Sequence, residues 1–203
     1  MKVKKRNITV RPYAWSFDGD NVPTWASVPN MFTAEECKKI IEIGNKLNPS
    51  VAVVGNNKGT KEIRTRNSFT SWIGPSDDAK WIYEKVTRVV TSVNKEHFKF
   101  NLFGLTEGFQ FTKYNAPDGH YTAHIDKMYK GPIRKLSLTV QLTDPKKYKG
   151  GELTLYEGAE PTLMPKELGM GLLFPSYVLH RVTPVKKGTR YSLVAWFTGK
   201  NFT

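Results

Sequence analysis

The sequence predicts a mainly β chain with supporting N-terminal helices, an α+β arrangement whose strands form a sandwich or barrel. Helical spacing of apolar residues is confined to the first hundred positions. From Leu102 onward, short strand-like segments alternate with Gly, Pro and Asp, as in antiparallel sandwiches and barrels. No internal repeat, low-complexity segment or long linker separates the two parts, so the 203 residues are expected to form one domain of two packed layers. Residues 1–100 are expected to supply helical and strand support, and residues 101–203 the strand core.

The elements follow in order. Thr33-Ala34-Glu35-Glu36 reads as a capping box, with Phe32 and Cys37 placed as a hydrophobic staple. Cys37, Ile40, Ile41 and Leu47 then recur at helical spacing until Asn48-Pro49 stops the run. A second helix is expected after Pro75, with Ser76 as N-cap, Asp77 and Asp78 favouring its dipole, and Ile82, Val86, Val89, Val90 and Val93 on one face. Val51 to Val54 and Arg64 to Ile73 read as strands flanking a turn at Asn56-Asn57-Lys58-Gly59. Further strands are expected over Phe109 to Tyr114, Tyr121 to Met128, Lys135 to Thr143 and Glu152 to Tyr156. Gly171 to Phe174, Leu179 to Val182 and Arg190 to Phe197 complete the set.

Composition narrows the function classes. Hydrophobic residues at 39% and charged residues at 24% match ordinary soluble globular proteins, and no apolar run approaches a membrane span. No apolar segment follows the basic start Met1 to Arg6, so no secretory signal is expected and the cytoplasm is the expected compartment. Cys37 is the only cysteine, which excludes an intrachain disulfide and a cysteine-based zinc site. The net charge of +13 leaves two readings open, a solvated basic surface and an anionic partner. Much of that charge lies in the tail and in expected turns, at Lys2 to Arg6, Lys146-Lys147-Lys149 and Lys186-Lys187. No helix carries a dense basic stripe with interleaved aromatics, so nucleic acid is not the expected partner.

The chemistry concentrates in the second half. In a strand, side chains two apart share a face, so His124 and Asp126 present an imidazole and a carboxylate together. His180 opens another expected strand. Were the two strands neighbours, the three residues would form a facial triad of two histidines and one carboxylate, which leaves positions open on iron(II). Alone this is a weak pattern, because four histidines make an H-x-D common by chance. Position strengthens it. Val185-Lys186-Lys187-Gly188 reads as a hairpin turn, which would set Arg190 on a strand adjacent to His180, one or two residues along. A guanidinium there can take a carboxylate in a bidentate fork while the other end of the ligand chelates the metal. By alternation Arg190, Ser192, Val194 and Trp196 share a face, as do Gln110, Thr112 and Tyr114. His97 and His120 fall outside this group and are expected to be structural.

Tyr114 to Asp126, Gly150-Gly151-Glu152 and His180 to Trp196 together resemble the iron and 2-oxoglutarate dioxygenases, and within them the prolyl 4-hydroxylases. The resemblance runs from about residue 60 to residue 198, sparsely at first and densely after Tyr114. It implies a double-stranded β-helix, or jelly roll, and the cofactors iron(II), 2-oxoglutarate and O₂, with ascorbate as an optional addition. It assigns His124, Asp126 and His180 to the metal and to catalysis. Arg190 and Tyr114 fall to 2-oxoglutarate, and the alternation noted above lets Ser192 add a hydroxyl beside them. On the substrate side it points to Arg66 and Ser68, followed by Trp72, and to Glu107, Arg134 and Trp196. Three positions depart from the family. Arg190 stands where collagen-type enzymes have lysine, Thr198 where plant-type enzymes have a histidine, and Gln141 where oxygen-sensing members have a tyrosine.

The implied reaction is hydroxylation of prolyl residues in a peptide or protein, akin to that of procollagen-proline 4-dioxygenases, with succinate and CO₂ as coproducts. The alternatives are a 2-oxoglutarate dioxygenase acting on nucleic acid or a small metabolite, and a non-catalytic jelly-roll binding module. Trp196 stands where nucleic-acid repair members have a second arginine.

Overall fold

The computed structural model describes residues 24–52, 64–126, 131 and 133–200. Along the chain run β1 (Ala26–Val28), α1 (Ala34–Lys46), β2 (Ser50–Val51), β3 (Arg66–Asn67), β4 (Phe69–Ile73) and α2 (Lys80–Val93). Then come β5 (Leu102–Leu105), β6 (Phe109–Asn115), β7 (Gly119–His124), β8 (Arg134–Gln141), β9 (Lys149–Gly150) and β10 (Leu153–Tyr156). The last strands are β11 (Pro161–Leu163), β12 (Gly171–Pro175), β13 (His180–Lys187) and β14 (Thr189–Gly199). They form two antiparallel sheets. The larger has the order β1-β12-β8-β14-β6-β4-β2, with β5 also on β14; the smaller has the order β11-β10-β13-β7-β3, with β9 on β13. This is the mainly β, jelly-roll architecture that the strand pattern and the resemblance lead one to expect.

The helices form where their caps and apolar faces say they should, with two corrections. Thr33 caps α1 and closes the full box, its hydroxyl accepting from Glu36 N at 3.2 Å while Glu36 Oε2 accepts from Thr33 N at 2.7 Å. Such a cap stabilises a helix by about 1 kcal/mol. Leu47, expected on the buried stripe, is 48% exposed. It lies past the last helical turn, and Asn48 at φ 49° swings the chain away. The stripe ends instead at Gly44, where a Cβ would stand 2.3 Å from the ring of Phe111. The second correction is at α2, which begins at Lys80 with no side-chain cap. The carbonyl of Ser76 accepts from Ala79 N and Lys80 N at 3.1 and 2.8 Å, so Ser76 closes a turn before the helix rather than capping it.

Three strand readings also change. The expected strand Arg64 to Ile73 breaks at buried Ser68: β3 pairs with β7 in the smaller sheet and β4 with β6 in the larger, so the chain crosses between sheets there. Strand β7 ends at His124, and Asp126 has already left it, its N–H donating to the Ser176 carbonyl at 3.0 Å. Finally, β13 and β14 do not pair as a hairpin. β13 joins β7, β9 and β10, whereas β14 joins β5, β6 and β8. Gly188, at φ 75°, turns the chain from one sheet to the other, a conformation that favours glycine. The turn at Asn56 to Gly59, the rest of the Val51 to Val54 strand beyond Ala52, the basic tail, and Lys127 and Met128 lie outside the described residues.

The larger sheet has two buried faces. On one, Phe109, Phe111, Leu136, Leu138, Val140, Leu193, Ala195 and Phe197 pack with Cys37 and Ile40 of α1 and with Ile82, Val86 and Val90 of α2. Each fully buried aliphatic or aromatic side chain there contributes about 1.5–3 kcal/mol. Cys37 is 1% exposed, and burial pushes its thiol up to about 11. The other face turns toward the smaller sheet and carries Gln110, Thr112, Tyr114, Ser137, Thr139, Gln141, Arg190 and Ser192, all buried.

Candidate metal centre and adjoining pocket

Antiparallel pairing of β13 with β7 sets His180 directly opposite His124, with ring centroids 4.2 Å apart. The Asp126 carboxylate reaches both, Oδ1 lying 3.7 Å from His124 Nε2 and Oδ2 3.6 Å from His180 Nε2. One donor atom from each of the three falls within 4.8 Å of the others. The backbone dictates the tautomers. His124 Nδ1 faces the Thr122 carbonyl at 2.7 Å and His180 Nδ1 faces the Val178 carbonyl at 2.9 Å. A carbonyl only accepts, so each Nδ1 carries its proton and each Nε2 turns a lone pair toward the centre.

The electrostatics agree with that assignment. Burial, followed by the neighbouring His180, holds the His124 imidazole down at about 4, so it is neutral and able to ligate near pH 7. Burial opposes ionisation of Asp126, but the charges of His180 and His124 outweigh it and hold the carboxyl below its usual range. Trp196 and Ser137 add to that lowering. The Trp196 indole Nε1–H is buried and makes no hydrogen bond of ordinary geometry, although it lies near enough to the carboxylate to favour its charged form. Two imidazoles turning Nε2 to a shared centre and a carboxylate held below its usual range fit a divalent ion such as iron(II).

Both sheets wall a cavity of about 570 Å³ that includes all three side chains and extends to Arg190. Arg190 sits opposite Tyr114 in the β14–β6 ladder, so it reaches the cavity across the sandwich and not, as expected, from a strand beside His180. It is 3% exposed. Its guanidinium lies 5.4 Å from the Tyr114 ring centre and makes a long 3.5 Å contact to Ser192 Oγ. No carboxylate pairs with it among the described residues. Glu152, the acid of the Gly-Gly-Glu segment, is engaged by Thr183 and by Lys166. A buried guanidinium without a counter-charge is costly, and an anionic ligand would relieve it. Gly151, at φ 66°, makes room for it: a Cβ there would stand 3.1 Å from Arg190 Cδ.

Toward the mouth the remaining candidates separate. Arg66 donates to Gln110 Oε1 and Ser68 Oγ, both at 2.8 Å, and its guanidinium lies 4.5 Å from the Tyr121 ring centre. Arg66 lines the cavity. Ser68 does not; its hydroxyl is spent on holding Arg66. Arg134 and Glu107 form a bidentate pair at 2.6 and 2.7 Å, and the Arg134 guanidinium lies 3.7 Å from the Trp196 ring centre. Trp196 packs 6.0 Å from Trp72, which is 47% exposed at the rim. Ser192, Tyr114 and Val194 also line the cavity. His120 is placed in β7, where its ring contacts the carbonyls of Asp118 and Arg64, which suits a structural role.

Sequence reasoning missed several residues around the site. Ser137 and Ser176, both fully buried, stand behind Asp126. Tyr148, 3% exposed, lies beside Arg190 and takes a 2.8 Å hydrogen bond from Gln141. Tyr121 stacks on His124 at 3.5 Å. A serine at an interior strand position or a tyrosine in a lysine-rich turn gives no periodic signal. The adjoining Gly150-Gly151 was the one local sign of close approach near Tyr148.

Comparison with known proteins agrees with this geometry. Residues 109–198 match the 2OG-Fe(II) oxygenase superfamily. A PKHD-type hydroxylase of Gloeothece citriformis is 45% identical over 80 residues, 37% of this chain and 36% of that protein. Matches to this and two further curated PKHD-type hydroxylases span only 36%, 44% and 40% of their lengths. A Trichoplax adhaerens prolyl hydroxylase, solved with a hypoxia inducible factor peptide fragment, superposes with a TM-score of 0.73 at 18% identity, over 87% of this chain and 84% of that one. A Pseudomonas putida prolyl-4-hydroxylase gives 0.69 at 19% identity, over 88% and 94%. Both structures share the fold described above.

Proposed function

We propose that this chain, whose residues 109–198 match the 2OG-Fe(II) oxygenase superfamily, hydroxylates prolyl residues of a peptide or protein. Iron(II) would be held by His124, Asp126 and His180, and 2-oxoglutarate by Arg190. The observation that carries the reading is the buried, uncompensated Arg190 guanidinium opening on the same cavity as the metal trio. A keto acid with a second carboxylate satisfies both ends of that cavity; a monocarboxylate satisfies one.

Iron(II) and 2-oxoglutarate together activate O₂ for insertion into a C–H bond, releasing succinate and CO₂. The chain's own residues bind and orient. Arg190 takes the distal carboxylate, with Ser192 and Tyr114 on the same wall. Glu107 holds Arg134 against Trp196, so the substrate side of the cavity is a rigid aromatic and cationic wall before any substrate arrives. Arg66, pinned by Ser68 and Gln110, closes the opposite side. Phe174, Tyr121 and Trp196 surround the metal trio with apolar surface that excludes water. The prolyl substrate draws support from the names of the relatives, from the peptide bound in the Trichoplax structure and from the exposed Trp72 at the rim.

Anaerobic reconstitution with iron(II) and 2-oxoglutarate, followed by O₂ and proline-containing peptides with ascorbate present, tests the proposal. Succinate formed together with one added oxygen on a proline is the expected outcome. Succinate coupled only to oligonucleotides or to a free amino acid would overturn the prolyl assignment. No binding of 2-oxoglutarate to the metal-loaded protein would overturn the whole reading.

A further inference from the structure

We propose that Ser137 and Ser176 form a hydrogen-bonded relay that fixes Asp126 Oδ2 and so makes Oδ1 the oxygen offered to the metal. This rests on the metal assignment above and names two positioning residues for it. Ser137 Oγ lies 2.7 Å from Asp126 Oδ2, and Ser176 Oγ lies 2.9 Å from Ser137 Oγ. The donors follow by elimination. An ionised carboxylate only accepts, so the Ser137 proton goes to Asp126. That leaves the Ser137 oxygen as acceptor, and Ser176 donates to it. Both serines are 0% exposed, so neither link is open to bulk water.

Ser176 also grips Asp126 from the backbone, its carbonyl accepting the Asp126 N–H at 3.0 Å. Its own N–H donates to the Lys135 carbonyl at 3.0 Å, which ties the turn after β12 to the start of β8. The need for such a grip is local. Asp126 has left β7, so no ladder holds it in register. The two histidines, by contrast, face each other in the β13–β7 pairing and have their Nδ1 atoms set by carbonyls. The two imidazoles are oriented by backbone carbonyls, and the Asp126 carboxylate by the Ser137 hydroxyl with Ser176 behind it, the Trp196 indole also lying near.

A carboxylate whose second oxygen is occupied can offer the metal a single oxygen, which leaves more positions for a chelating keto acid and O₂. Chained hydroxyl donors also polarise each other, so the pair holds the carboxylate more firmly than one serine alone.

Titration of the whole chain with Co(II), followed by visible absorption and calorimetry, reads this without turnover. Ser137→Ala should weaken Co(II) binding by about 10- to 100-fold and change the Co(II) spectrum, because the freed oxygen can rotate onto the metal. Ser176→Ala should do the same more weakly, since Ser137 keeps its own hydrogen for Asp126. Thermal unfolding of each variant separates this from a loss of fold, and if Ser137→Ala does not fold, Ser176→Ala decides. Unchanged Co(II) affinity and spectrum in a folded variant would overturn the relay while leaving the metal site intact. Failure of the parent protein to bind Co(II) would instead overturn the metal assignment, and the relay with it.

Discussion

The two faces of the larger sheet share the same strands and the same burial, yet carry opposite chemistry. In β6, Phe109 and Phe111 face the helices while Gln110, Thr112 and Tyr114 face the smaller sheet. In β8, Leu136, Leu138 and Val140 face the helices, and Ser137, Thr139 and Gln141 face inward. In β14 the alternation sets Leu193, Ala195 and Phe197 against Arg190, Ser192 and Trp196. The helix face is mostly apolar because α1 and α2 present it mainly apolar side chains; the buried Ser71 there is satisfied by the Gly44 carbonyl at 2.8 Å, and an unpaired polar group would cost about 1–3 kcal/mol. The inner face keeps polar groups because many satisfy one another, and the Arg190 guanidinium left without a counter-charge is the one the proposed function gives to a ligand. One face therefore supplies stability, and the other gives up stability for binding.

Substitutions on the two faces should separate accordingly. The largest effect is expected on the inner face. Asp126→Ala should abolish iron(II) binding and succinate formation while leaving the fold in place, since the lost carboxylate supports no core packing; metal content and turnover check this, and normal turnover would refute the triad. Next is Phe111→Ala on the helix face. Its ring fills the hollow over Gly44, and removing it should cost about 3–5 kcal/mol in denaturant unfolding. In the surviving folded fraction, Co(II) affinity should stay within a few-fold of the parent. A large loss of both would show that the faces are not independent.

Arg190→Met sharpens the contrast, because its two effects should have opposite signs. Affinity for 2-oxoglutarate should fall by roughly 100-fold, about 2.7 kcal/mol. The ligand-free protein should unfold at a higher denaturant concentration, because an uncompensated buried charge has been replaced by a shape-matched apolar chain. Unfolding curves with and without the keto acid measure both, and a destabilised ligand-free variant would mean that Arg190 is already compensated. The smallest effect concerns Cys37, on the helix side. With its thiol raised to about 11 by burial, the reactive thiolate appears only as pH climbs toward that value. At pH 8 roughly one molecule in a thousand carries it, so alkylation of the native protein should be slow, should quicken with rising pH, and should be rapid after unfolding. Fast native labelling at pH 8 would show that the helix face opens readily.

Much of this was legible in the residues. The Thr33 capping box, the apolar face of α2, most of the strands after Leu102 and the shared face of Arg190, Ser192, Val194 and Trp196 all recur in the structure. His124, Asp126 and His180 come together as expected, although Asp126 does so from beyond the end of its strand. The start of α2, the exposure of Leu47, the break at Ser68 and the departure of Asp126 from its strand were not legible. Each depends on a distant partner: a carbonyl, a ring or a neighbouring strand that the local pattern does not contain.

The sequence by itself determined which residues share a face, because alternation and helical periodicity are set by the backbone of each segment alone. Only the tertiary structure decided which sheet each strand joined. That choice put Arg190 across the sandwich from His180 rather than beside it, and it placed Ser137 and Ser176 behind the Asp126 carboxylate. Strand pairing is a contest among segments far apart in the chain, settled by which arrangement buries the apolar face and leaves fewest polar groups unsatisfied, and no window of neighbouring residues holds the terms of that contest.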